Sequence, residues 1–112
     1  MAPSFEETNW QRMLNLYDLL LEQKNSPVVV LNRSVVLAQL HKLHEAVAAV
    51  LNISGIEKLL QSQYIYNAVL GDLYLQLNDT GNAEKYLMAA YKLTTSQAEK
   101  KLIADKLAVV YN

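Results

Sequence analysis

His41, His44 and Glu45 put two imidazoles and a carboxylate within about one helical turn, a grouping that can begin a metal site. No HExxH pattern and no distant third ligand accompanies them, so no metal is assigned. Asp72 and Asp79 bracket the end of a helix, and Asp79 falls in "NDTGN", where an Asx side chain bonds to its own turn. The chain carries no glycine-rich phosphate loop, nucleophile elbow or paired-carboxylate motif. It has no cysteine, which excludes thiolate nucleophiles, thiolate zinc sites and disulfides. Neither catalysis nor a cofactor is expected.

Asn32 and Arg33 keep a chemical question open, because they interrupt the apolar run "NSPVVVLNRSVVLAQLHK" from Asn25 to Lys42. One answer is that they line a groove, with Arg33 bonding a carboxylate bidentately and Asn32 clamping a peptide backbone. The other is that they tie their helix to its neighbours, with Asp18 or Glu22 as the ion-pair partner of Arg33 and Asn32 bonded to a nearby turn. The seven tyrosines pose a similar choice. Tyr is favoured at interfaces, yet helical spacing favours interhelix packing with the hydroxyl at the rim. Tyr64 and Tyr66, near the start of a helix, are retained as contact candidates.

The elements that position these residues follow from composition and punctuation. A chain of 112 residues buries roughly two-thirds of its unfolded surface as one domain and needs no staple to fold. Ten basic against eleven acidic residues leave a net charge of -1, too little basic character to hold a nucleic-acid backbone. No apolar run approaches the ~18 residues of a membrane span. The opening "MAPSFEETNW" lacks a signal-peptide pattern. A cytoplasmic location is expected. Only three glycines and two prolines leave few tight turns, so an all-α chain is expected rather than a sandwich of short strands.

About six helices are predicted in a single domain over residues 9–112, after a disordered or appended stretch over 1–8. The first runs from near Thr8 to Gln23, with Thr8 or Asn9 as cap and Trp10, Met13, Leu14, Tyr17, Leu20 and Leu21 on one face. Ser26 caps the second, and Pro27 takes its first position, where a missing N–H costs nothing. The second spans Pro27 to about Leu40 and the third about Leu43 to Asn52. "GIEKLL" reads as a turn leading into a fourth helix from about Ser62 to Leu77. The fifth covers about Asn82 to Leu93. The sixth starts at Thr95 or Ser96, with Glu99 completing a capping box if Ser96 is the cap. Lys100, Lys101 and Lys106 against Leu102, Ile103, Leu107 and Val110 mark it as a solvated capping helix.

A repeat lies within this series. In "LGDLYLQLNDTGNAEKYLMAAYKL", Leu70, Gly71 and Tyr74 are followed by Ala83, Leu87 and Ala90 at tetratricopeptide (TPR) spacing. Gly71 and Ala83 would let two antiparallel helices approach closely, while Tyr74 and Leu87 fill the space beside that contact. A shift of 37 residues puts Ser34, Leu37, Ala46 and Val50 in the places of Gly71, Tyr74, Ala83 and Leu87. Arg33 then replaces Leu70 and Ile53 replaces Ala90. The expected architecture is a TPR-like antiparallel helical repeat, a right-handed α-α superhelix. In it the second helix packs between the first and third, so burial overrides the β propensity of Val28 to Val30. The concave side would hold Val28, Leu31 and Val35 in one unit and Ile65, Ala68, Asp72 and Leu75 in the other. Asp72 joins the contact candidates.

Trp10, Leu14, Tyr17, Asp18 and Leu20, followed by Ser26-Pro27-Val28-Val29, Leu31-Asn32-Arg33 and Val35, resemble a pattern in one group of extracytoplasmic-function (ECF) RNA polymerase sigma factors. That pattern, "W...L..YD.L.....SPVV.LNR.V", belongs to their C-terminal extension. The likeness continues through Gly71-Asp72-Leu73 and the Ala83 helix, from Trp10 to Leu107. In that family the extension is a TPR-type domain appended to sigma regions that are absent here, and Ser34 stands where the family usually has Ala. The resemblance implies a bacterial, non-catalytic regulatory module in transcription initiation. Its partners would be proteins: its own sigma regions, polymerase, an effector or a second copy, with neither membrane nor direct nucleic-acid contact. The alternative is a free-standing TPR adaptor scaffolding an assembly unrelated to transcription. Sigma regions encoded in phase ahead of Met1 would separate the two.

Overall fold

The computed structural model describes residues 5–111, and every regular element among them is a helix. In order these are α1 (Phe5–Gln23), α2 (Pro27–Gln39), α3 (Leu43–Leu51), α4 (Ile56–Ser62), α5 (Tyr64–Gln76), α6 (Thr80–Leu93) and α7 (Gln97–Val110). They form two compact units that divide between Ser54 and Gly55. No described helix is long and apolar enough to cross a membrane.

Two boundaries differ from those expected. α1 begins at Phe5, not near Thr8, so the helix takes in half of the stretch expected to be disordered; residues 1–4 of that stretch lie outside the described residues. "GIEKLL" is a helix rather than a turn, which raises the count among the described residues to seven. Gly55 adopts φ +76, a conformation open to glycine, and its carbonyl accepts from Lys58 and Leu59, so the chain re-enters helix at once.

In the first unit, α2 packs against both α1 and α3. The Ser26 hydroxyl accepts from the Val29 N–H at the start of α2, and Pro27 follows at the first position. Burial of Leu31, Ser34, Val36, Leu37 and Ala38 holds this β-branched segment in a helix against its propensity. Part of the apolar surface of α2 stays open. Val28 and Val35 remain exposed, because α1 and α3 cover the other sides.

In the second unit, α5 and α6 form the most closely packed helix pair, α7 lies against α6, and α4 joins α5. Ala83, Leu87, Ala90, Ile103 and Leu107 make a buried cluster on which Tyr64, Ala68, Tyr74, Leu75 and Met88 pack. Asn67 is buried, and its amide donates to the Leu60 carbonyl at 2.8 Å, tying α4 to α5. Ser96 caps α7 by accepting from the Glu99 N–H at 3.2 Å, but its own N–H donates to the Thr94 hydroxyl. Buried Thr94 thus takes the place expected of the Glu99 carboxylate, and the capping box is made in half.

Both units end their first hairpin helix in the same way. His41 at the end of α2 has φ +62, and Asn78 at the end of α5 has φ +61. Beyond each, an N–H reaches back to a carbonyl five residues earlier: Lys42 to Leu37 and Asp79 to Tyr74, each at 2.9 Å. This is the Schellman motif made without glycine, with a left-handed residue after the helix cap. The two turns stand 37 residues apart, the period of the sequence repeat.

Candidate functional site

Arg33 points at α1. Its guanidinium Nε donates to Asp18 Oδ1 at 2.7 Å, with the arginine side chain 26% and the aspartate 50% exposed. Of the two sequence-based partners it takes Asp18. The ion pair joins the "YD" and "LNR" parts of the motif across the α1–α2 contact. Exposure keeps it modest in stability, about 1 kcal/mol at most. Asn32, one residue before, is exposed and stands beside Val28, Val35 and Gln39. These four residues follow each other at i, i+4, i+7 and i+11, a single stripe along α2. It combines two exposed apolar side chains with two amides and carries no charge.

The other candidate contacts divide. Tyr66 is 2% exposed, so it cannot meet a partner. Burial pushes its hydroxyl pKa up from the ordinary value. Its position on the buried face of α5, with Leu70 and Leu73, explains why helical phase mattered more than residue type. Tyr64 is half-buried against the α6–α7 cluster and serves packing in the same way. Asp72 is half-buried, pairs with Lys106 of α7 at 2.9 Å and accepts from Gln76 on its own helix at 2.9 Å.

Of the expected concave residues, Leu31 is buried, while Ala68 and Leu75 pack on the α6–α7 cluster. Only Val28, Val35 and Ile65 stay exposed as apolar positions. On α7, Leu102 is exposed although it was placed on the apolar face, because Ile103 and Leu107 take the buried side.

Ser34, Leu37, Ala46, Val50, Leu70, Gly71, Ala83, Leu87 and Ala90 are all buried, and Tyr74 is half-buried. A Cβ on Gly71 would lie 2.7 Å from Leu87 Cγ and Cδ2 and 3.1 Å from its backbone nitrogen, so glycine sets the closeness of α5 and α6. Tyr74 stacks on Tyr86 with ring centroids 5.6 Å apart. Its hydroxyl pKa is raised by desolvation, then by Tyr86 and Asp79. Ser34 disposes of its hydroxyl locally by donating to the Leu31 carbonyl.

His41 and His44 are exposed, and no group of three metal-ligating side chains occurs among the described residues. His41 has a conformational part instead, as the left-handed residue of the α2–α3 turn. Sequence reasoning missed this; the 37-residue offset to Asn78 in "NDTGN" was the signal. Asp79 caps α6, accepting from the Asn82 backbone N–H at 3.2 Å and its amide at 2.9 Å. No protein-family model, curated protein or solved structure matches the chain.

Proposed function

We propose that this chain is a non-catalytic protein-interaction domain of TPR-like build, acting in transcription initiation as the C-terminal regulatory part of an ECF-type sigma factor. The observation that carries the interaction reading is the open stripe of α2, where Val28 and Val35 alternate with Asn32 and Gln39. Exposed apolar side chains beside neutral amides suit a protein surface, whose backbone groups the amides can bond. Such a stripe has nothing to offer a phosphate backbone. The sigma assignment rests on the resemblance of the Trp10 to Val35 motif. Within that motif Asp18 and Arg33 hold α1 to α2, and Asn32 is the member left facing outward. Arg33 then acts as a positioning residue and Asn32 as the contact.

The test is capture of this chain by isolated sigma regions and by core polymerase as separate baits. At least one bait is expected to retain it, with retention lost on Val35→Glu and kept on Gln76→Ala, on α5. If neither bait retains the wild-type chain, the sigma reading fails and the adaptor reading takes its place. A cytoplasmic location in a bacterial cell belongs to the same proposal and is checked by fractionation.

A further inference from the structure

The α2–α3 and α5–α6 turns share one backbone course but not the residues that suit it. The left-handed place is held by His41 at φ +62 in one and by Asn78 at φ +61 in the other. Asparagine is the usual substitute for glycine there, because its short amide can bond locally to the backbone. Histidine is neither of these residues. The next residue caps the second helix of the pair. Asp79 does so with its side chain, which accepts from the Asn82 N–H at 3.2 Å. Lys42 makes no side-chain bond to α3. Its ammonium also suits the N-terminal end of a helix poorly, and Glu45 is the acidic residue of that first turn which offsets it.

The backbone does not account for a difference between the two second helices. The Ala46 N–H donates to the Lys42 carbonyl at 3.0 Å, and the Ala83 N–H to the Asp79 carbonyl at 2.9 Å. α3 is the shorter helix, with 9 residues against 14 in α6. Where α5 meets α6 through Gly71 and Leu87, the 37-residue offset puts Ser34 and the smaller Val50 in α2 and α3. Turn, cap, length and core contact all favour α6.

We propose that α3 opens locally, leaving α2 at the His41–Lys42 turn while α2 stays helical and α6 stays on α5. The missing side-chain cap and the left-handed histidine together weigh on the closed form by about five- to thirty-fold. Opening enlarges the apolar surface that α2 shows beside exposed Val28 and Val35, so the turn sets how much of that surface a partner meets. The proposal stands on the two turns and does not depend on the sigma reading.

The test is amide hydrogen exchange of the full chain, read residue by residue by NMR at Val50 of α3, Leu37 of α2 and Leu87 of α6, all of them buried. Val50 is expected to be at least about tenfold less protected than Leu37 and Leu87. His41→Asn/Lys42→Asp, which gives this turn the residues of the other, is expected to raise protection of Val50 about five- to thirty-fold and to leave Leu87 unchanged. Val50 protected as strongly as Leu87 would overturn the proposal. So would a double variant that leaves Val50 where it was or raises all three alike. If Leu37 is no better protected than Val50, α2 opens together with α3, and the local opening fails as well.

Discussion

The two hairpins follow one scheme and differ at the positions where the repeat degenerates. In α5–α6, Gly71 and Leu87 meet more closely than a Cβ at position 71 would allow, and Leu70 beside them is fully buried. In α2–α3, Ser34 replaces the glycine and bonds to its own backbone, while Arg33 replaces Leu70 and reaches out to Asp18 of α1. The same repeat position is thus apolar and internal in one unit, and charged and half-exposed in the other. The lesson is that a position in the sequence repeat does not prescribe a residue; the neighbouring helix does. An acidic residue on α1 gives the arginine a partner.

Damage should therefore differ between the hairpins. Leu87→Ala should cost ~2–5 kcal/mol, since it empties a fully buried site, and Val50→Ala at the equivalent position should cost less because fewer atoms are removed. Thermal unfolding followed by circular dichroism checks the pair; equal losses would erase the contrast. Next in size, Gly71→Ala should destabilise by ~1–3 kcal/mol through overpacking against Leu87, less whatever alanine's helix propensity returns. Ser34→Ala should stay within ~0.5 kcal/mol, because the hydroxyl bonds only to its own helix. Chemical denaturation curves of both variants would show whether the close approach belongs to α5–α6 alone.

Arg33→Ala should cost ~1 kcal/mol or less, and Asp18→Asn about as much. The double variant should lose less than the sum of the two, as a double-mutant cycle would measure. The smallest effect is set by pH. The folded pKa of Tyr66 lies above its unfolded value near 10, so its part of the stability is complete below about pH 10. It is lost as pH rises through the folded pKa, because the unfolded chain gives up the proton first. Tyr66→Phe should flatten that alkaline fall, measured as denaturation midpoints from about pH 9 to 11.

The helical class was legible in the sequence because scarce glycine and proline left only helix-sized segments, and Ser26-Pro27 and Ser96 marked two starts, whereas Asp79, read as part of its turn, caps α6. The small and large packing positions were legible too, since their spacing is a property of helix geometry. α4 was missed because "GIEKLL" was read as a turn, whereas the left-handed backbone of Gly55 lets the chain turn straight back into helix. Tyr66 was misjudged as a contact because residue type suggested an interface while helical phase put it against the interior, and Tyr64 gives part of its surface to packing.

Periodicity, caps and the 37-residue offset are local features, and from them the sequence alone determined that the chain is helical, where most helices begin and which residues must be small. Tertiary structure alone decided where Arg33 points, that Asp72 is engaged by Lys106, and which face of α2 stays open. These outcomes depend on which helix lies alongside, a relation between residues 15 or more apart in the chain that no local pattern encodes.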